Sequence, residues 1–477
     1  MSLDDILKKL DAETKSRMAR KVPSWFDQSV IPGCDRESLT FPSSLSTQQC
    51  SGEPAALYKA CVACNALMAS RSPQRACPPT DTGRGRGPLD TSYLPGQMTQ
   101  ETMGGAGVSK AHGVPLGACC LPQGRIADLT GGLGVDSWAF SKCFEKVLYN
   151  EANSELAEAV KHNFEVLGCS NITVSNKLLE PGNLKDILED FNPDVIFIDP
   201  ARRSAAGKKV FLLEDCQPDV LKLKEELLDA CPNLLLKLSP MADISMLLQR
   251  LGPVVRQLHV VAFDGECKEL LLLLQRGWSG PASLTICEDG QALHFPDYYC
   301  TTSDNNVRYS TQNAFSDNNT LTGECTRMAI GRNFWPEGVL PGQILFEPGK
   351  ALLKAGLFDY PCTLGYTKLA KHTHLYIAPD SFQATSSCHS DRSGGIFLPG
   401  KYFRIEKVLP LQSKTIKEIA RQGIAAEVST HNVPIKAEDL KNRLHATPSA
   451  TTHLFAAAGV NADYLLIAQR LIQDTAP

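Results

Sequence analysis

The stretch Ile126-Ala127-Asp128-Leu129-Thr130-Gly131-Gly132-Leu133-Gly134-Val135-Asp136 decides the fold. A short apolar run ends in an acid, a glycine-rich turn follows, and a helically periodic segment opens directly after it. Glycine adopts positive φ at little cost and lets a ligand approach the main chain. Outward from this stretch, short apolar runs at 125–129, 146–149, 172–174, 194–198, 234–238, 258–263 and 270–275 predict strands. Helical patterns at 135–143, 154–167, 184–191, 218–231 and 244–251 lie between them; in the second, Leu156, Val160, Phe164 and Leu167 share one face. This alternation predicts an α/β, Rossmann-like doubly wound sheet, mostly parallel, with helices on both faces. Only Asp264, Gly265 and Glu266 join the last two strands. That is too short for a crossover, so an antiparallel hairpin is expected there, at the sheet edge.

The flanks read differently. Residues 1–70 form a helical N-terminal region, broken at Val22-Pro23-Ser24-Trp25. Residues 71–122 turn to Pro, Gly, Ser, Thr and Arg, the composition of a disordered insertion or linker that buries no core. With the sheet domain at 123–280, small α+β domains are expected at 281–400, with loops near 301–320 and 379–395, and at 401–477.

The chain's 43% hydrophobic and 21% charged residues suit an ordinary globular protein. A net charge of −4 excludes a globally basic nucleic-acid binder, though not a local basic groove. No apolar run is long enough for a membrane span, and the N-terminus lacks the apolar core of a secretory signal. The 17 scattered cysteines read as free thiols of a reducing, cytoplasmic setting. The lone pair Cys61 and Cys64 has no partner pair at zinc spacing, so no metal is expected.

In a doubly wound sheet, ligands bind at the carboxyl ends of the strands. Asp128 ends the first strand and can face a cationic group such as the amino group of S-adenosylmethionine. Glu151 ends the second and can accept ribose hydroxyls. A dinucleotide fingerprint needs G-x-G-x-x-G, but Ser137 stands at the third glycine. Asp199-Pro200 ends another apolar strand. Proline fixes φ and holds the preceding acid extended, so the Asp199 carboxylate can point at a planar nitrogenous substrate. Arg202, Arg203, Lys208 and Lys209 follow and could receive phosphates, or simply form a solvated loop. Lys237-Leu238-Ser239-Pro240 ends the next strand and closes the cleft or merely terminates the strand. Glu266, Lys268 and Glu269 read as structural or rim charges.

These motifs resemble a class I S-adenosylmethionine-dependent methyltransferase, and more narrowly the RNA-methyltransferase family that ends in a THUMP-like domain. The phrases that carry the resemblance are FPSSLSTQQCSGEPAALYKA (41–60), DLTGGLGVDSWAFS (128–141), FIDPARR (197–203), ECKELLLLL (266–274), LFEPGKALLKAG (345–356), KLAKHTHLYIA (368–378) and VSTHNVPIKAEDLKNRLHA (428–446). The resemblance implies a ferredoxin-like domain before the THUMP-like one. It places Asp128, Thr130, Gly131, Gly132 and Gly134 in the cofactor loop, Glu151 on the ribose, and Asn176 where an acid often meets the adenine amino group. Asp199 and Pro200 fall at the Asp/Asn-Pro-Pro position of amino-directed enzymes. Ala201 replaces its second proline, and Arg202 its aromatic.

The expected function is therefore methylation of a base in tRNA or rRNA. Asp199 and Pro200 would be catalytic; Arg202, Arg203, Lys237 and Ser239 would bind substrate. A methyltransferase for protein or small molecules, a non-catalytic RNA-binding scaffold and a nicotinamide-dependent oxidoreductase are the competing readings.

Overall fold

The computed structural model describes residues 3–30, 35–71, 124–202, 213–298, 338–380, 382 and 398–471. Most of the expected insertion at 71–122 lies outside them, as do Arg203, Lys208 and Lys209. The chain divides into two units, 1–311 and 312–477.

The first unit begins with helices α1 (Leu3–Lys21), α2 (Ser44–Gln49) and α3 (Glu53–Arg71). Strands and helices then alternate: β1 (Arg125–Asp128), α4 (Val135–Ser141), β2 (Lys146–Asn150), α5 (Ser154–Val166), β3 (Ile172–Ser175), α6 (Leu184–Leu188) and β4 (Val195–Ile198). A two-residue pair, β5 (Ala201–Arg202) and β6 (Cys216–Gln217), leads to α7 (Val220–Ala230), β7 (Asn233–Leu238), α8 (Ile244–Leu251), β8 (Val255–Phe263) and β9 (Glu266–Gln275). Polar caps begin the helices where the sequence supplies them. Asn153, Asp219 and Asp243 accept backbone N–H groups at the first turns of α5, α7 and α8, satisfying donors the helix cannot.

With β10 (Ala282–Glu288) and β11 (Gln291–Tyr298), the sheet has nine strands in the order β11-β10-β8-β9-β7-β4-β1-β2-β3. From β3 to β7 every pairing is parallel. The chain moves outward from β1 to β3 and then returns to β4, so strand order reverses between β1 and β4. Strands β8 and β9 form the expected antiparallel hairpin, but not at the edge. Strand β9 is inserted beside β7, and β10 pairs parallel to β8. The sheet therefore continues to Tyr298, beyond position 280. The overlooked signal was Asp289-Gly290, whose φ angles of 48° and 85° make the two-residue hairpin turn that joins β10 to β11.

The N-terminal helices are part of this core. Trp25, Tyr58, Val62 and Leu67 bury with Trp138 and Phe140 of α4, Phe164 of α5 and Phe197 of β4 in one apolar cluster. Trp25 and Trp138 meet edge to face at 6.1 Å.

The second unit holds one seven-stranded sheet, in the order β13-β14-β12-β15-β18-β17-β16. Its strands are β12 (Ile344–Pro348), β13 (Thr367–Ala370), β14 (Thr373–Ile377), β15 (Gly400–Pro410), β16 (Glu427–His431), β17 (Thr452–Ala458) and β18 (Asp463–Arg470). Its helices are α9 (Lys350–Lys354), α10 (Tyr360–Thr363), α11 (Ser413–Gln422) and α12 (Ala437–Leu444). The pieces expected as two small domains share one sheet, in which β12 pairs along its length with the first residues of β15, Gly400 to Arg404. Among the described residues, no helix is long and apolar enough to cross a membrane.

Because Leu284 and Ile286 are fully buried, β10 belongs to the first unit's core. Ile286→Ala should cost that unit about 2–5 kcal/mol by lost transfer energy and cavity formation. Equilibrium denaturant unfolding measures it; a loss below about 0.5 kcal/mol, the range of surface substitutions, would show β10 to be peripheral.

Candidate functional site

Strand-order reversal leaves a crevice at the carboxyl ends of β1 and β4, and the motif residues converge there. Asp128 ends β1 at 1% exposure. One carboxylate oxygen accepts the Thr130 N–H at 3.2 Å and the other the Ser137 hydroxyl at 2.6 Å. Burial pushes its pKa up to about 8, against the pull of the Ser137 bond and with help from the Asp136 charge. Asp128 thus holds the start of the loop through both of its oxygens.

The three glycines have different reasons. A Cβ on Gly131 would lie 2.1 Å from the Tyr149 ring, and one on Gly134 would lie 2.6 Å from Phe164. At those two positions the protein's own packing leaves no room for a side chain. Gly132, at φ +52°, would put a Cβ into open space, with nothing within 4 Å. Its N–H donates to Glu151 at 3.0 Å and its carbonyl accepts the Tyr149 hydroxyl at 2.6 Å. The loop tip is therefore held from one side and open on the other.

Glu151 follows β2. Its second oxygen accepts the Asn153 N–H at 2.9 Å, and its carbonyl accepts the Asn176 amide at 2.6 Å. Asn176 thereby joins the end of β3 to the end of β2. The Asp199 N–H donates to the Thr130 hydroxyl at 2.7 Å, so the loops after β1 and β4 are tied directly. The Asp199 carboxylate, 30% exposed, pairs with Lys237 at 2.7 Å. Burial works against the Lys237 charge, but Asp199 and Glu269 outweigh it and its pKa is raised.

Not all predicted substrate residues gather here. Lys237 is committed to Asp199. The Ser239 hydroxyl accepts the Met241 N–H at 3.2 Å, which caps its own turn, and Pro200 is buried beside Asp199. Arg202 lies in β5, whose backbone pairs with β6.

Sequence reasoning missed Lys59. It is fully buried on α3, and its ammonium meets Asp136 at 3.1 Å, Glu269 at 2.9 Å and the Ser51 hydroxyl at 2.9 Å. Glu269, read as a structural or rim charge, is 2% exposed and thus structural, whereas Glu266 and Lys268 pair at the exposed hairpin tip. The available signal was a single lysine inside the apolar run AALYKACVAC.

Comparison with known proteins follows the same division. Residues 345–383 match the model of a ferredoxin-like domain and residues 400–470 that of a THUMP domain-like family. No curated protein sequence matches significantly. The crystal structure of a "putative methyltransferase" from Porphyromonas gingivalis W83 is 23% identical, covering 96% of this chain and 88% of that one, with a TM-score of 0.62. A "SAM Dependent Methyltransferase" from Agrobacterium tumefaciens is 18% identical, covering 33% of this chain and 57% of its own at a TM-score of 0.23. A "putative rRNA-methylase" from Clostridium thermocellum is 9% identical, with 32% and 88% covered, at 0.24. Scores that low do not bear on this chain's fold.

The raised pKa of Asp128 makes a pH prediction. Between its unfolded value near 4 and its folded value near 8, the unfolded chain loses this proton first, so rising pH costs stability until about pH 8. Asp128→Asn removes that cost. Its melting temperature should gain on the wild type from pH 4 to 8; parallel pH curves for the two proteins would contradict it.

A steric comparison of the glycines is independent of pH. Gly131→Ala must displace the Tyr149 ring, whereas Gly132→Ala incurs only left-handed backbone strain of about 1–2 kcal/mol. Denaturant unfolding should find the first clearly less stable than the second, and equal losses would refute the packing assignment.

The chain carries the fold of the Porphyromonas gingivalis protein over nearly its whole length and ends in a ferredoxin-like and a THUMP-like domain.

Proposed function

We propose that this protein is an S-adenosylmethionine-dependent methyltransferase of class I that methylates a base of tRNA or rRNA. The observation that carries the reading is the loop tip at Gly132, open on one side and fixed on the other by Glu151 and Tyr149, in a loop whose Thr130 hydroxyl accepts the Asp199 N–H. The residues fit the cofactor. Gly132 leaves room for it against the main chain. Glu151 keeps acceptor capacity for ribose hydroxyls while its orientation is set by two N–H groups. Asn176 lies beside Glu151, where the adenine is expected.

When bound, the cofactor supplies an electrophilic methyl group on a sulfonium. The protein's part is alignment, which converts an encounter into a positioned attack. Asp199 reaches solvent while Lys237 holds one of its oxygens. Its other oxygen can accept a hydrogen bond from a base amino or imino group and take that proton. Pro200, buried next to it, restricts the main chain that presents the carboxylate. The target base must be unstacked to enter such a crevice.

RNA as substrate draws on the second unit. Exposed Lys414, Lys417 and Arg421 on α11, with Lys436, Lys441 and Arg443 on and before α12, outnumber the exposed acids Glu418, Glu438 and Asp439 there. A local basic surface of this kind attracts phosphates although the whole chain is acidic. The oxidoreductase reading is disfavoured by the missing third glycine of the dinucleotide fingerprint, where Ser137 stands.

Three variants test the site. Gly132→Val should abolish calorimetric adenosylmethionine binding in a protein that still folds. Asp199→Ala should bind cofactor normally but transfer methyl on the order of a hundredfold more slowly, with Asp199→Asn in between. A folded Asp199→Ala protein with the wild-type single-turnover rate would remove Asp199 from catalysis. Separately, Lys417→Glu with Arg421→Glu should weaken RNA binding and flatten its dependence on salt; an unchanged salt slope would move the RNA surface elsewhere.

A further inference from the structure

We infer that Lys59, on a helix outside the methyltransferase-like sheet, is a positioning residue for Asp199, acting through a buried chain of alternating charges. The chain runs Asp136, Lys59, Glu269, Lys237, Asp199. Lys59 meets Asp136 at 3.1 Å and Glu269 at 2.9 Å, and Lys237 meets Asp199 at 2.7 Å. The sheet register closes the gap between the two pairs. Lys237 of β7 stands opposite Leu271 of β9, and Glu269 lies two residues along β9. Residues two apart on a strand share a face, so Glu269 and Lys237 are diagonal neighbours. They influence each other's charge accordingly.

The exposures assign the roles. Lys59 is 0% exposed, the Glu269 side chain 3% and that of Asp136 12%, against 30% for Asp199. Asp199 is thus the solvent-facing end of a chain whose other members are shielded. A buried ammonium is tolerated only with its donors satisfied, and Lys59 spends its contacts on Asp136, Glu269 and Ser51. Asp136 lies two residues after Gly134, in the first turn of α4. Lys59 therefore fixes the start of the helix behind the cofactor loop and, through Glu269, the lysine that holds Asp199. Three carboxylates against two ammoniums leave one formal negative charge, the sign that suits a cationic cofactor. The α3 segment would on this view be part of the catalytic apparatus and not only of the core.

This inference rests on the methyltransferase reading, so the test separates the two. Wild type, Lys59→Arg, Lys59→Met and the charge-neutral pair Lys59→Met/Glu269→Gln are compared for melting temperature, adenosylmethionine affinity and the rate of methyl transfer. The neutral pair keeps the comparison valid should Lys59→Met alone fail to fold. The expected result is a loss in kcat of about tenfold to a hundredfold, the scale of a misplaced reacting group, with cofactor affinity within a few-fold. Lys59→Arg should restore kcat. A folded Lys59→Met variant with wild-type kcat would overturn the inference.

A stability cycle reads the same link without activity. Lys59→Met and Asp199→Asn should be non-additive in unfolding free energy although the two residues do not touch; additivity would overturn the chain. If wild-type protein binds no adenosylmethionine, the methyltransferase reading falls, while the cycle still decides whether Lys59 and Asp199 are coupled.

Discussion

The site stands on the hydrogen bond from the Asp199 N–H to the Thr130 hydroxyl, 2.7 Å long. It crosses the point where strand order reverses and joins the loops after β1 and β4. Its donor is the residue whose carboxylate reaches the cleft. Its acceptor lies two residues past Asp128, the acid that holds the loop from below. Thr130 opens the glycine run with a side chain, and its hydroxyl is what makes this tie possible. The bond fixes the distance between the loop after β1 and the end of β4. Rigidity of this kind suits a reaction in which the protein contributes mainly alignment.

Most of the first unit's sheet was legible because its strands are fully buried and read as plain apolar runs between helices. The run LLLLLQ of β9 and the hydrophobic face of α5 could hardly be anything else. The hairpin's place was not legible. An antiparallel pair can end a sheet or be inserted in it, and only the β8–β10 pairing distinguishes these. At the site, the types of residue were readable but not their directions. Gly131, Gly132 and Gly134 are alike in sequence, and only the surroundings show that two face Tyr149 and Phe164 while one faces open space. Asp128 and Glu151 were read as a pair of cofactor acids. Burial distinguishes them: Asp128 is 1% exposed with both oxygens bonded to its own loop, which its place at the end of an apolar run did not reveal.

Lys59 was invisible for a different reason. Its partners Asp136 and Glu269 lie 77 and 210 residues away, and nothing local distinguishes a buried paired lysine from one that snorkels to solvent. Long-range charge compensation is a property of the folded state alone. The same holds in the second unit. There the pairing of β12 with β15, which joins the ferredoxin-like and THUMP-like segments in one sheet, spans more than fifty residues of chain.

The central claim is that the crevice between β1 and β4 serves methyl transfer to RNA. Incubation of the full chain with adenosylmethionine labelled in its methyl group, with total RNA and total protein offered side by side, tests it most directly. The account predicts label in RNA, in nucleosides modified on a base, and none when Asp199 is alanine. Label confined to protein, or no transfer by a chain that binds the cofactor, would contradict it.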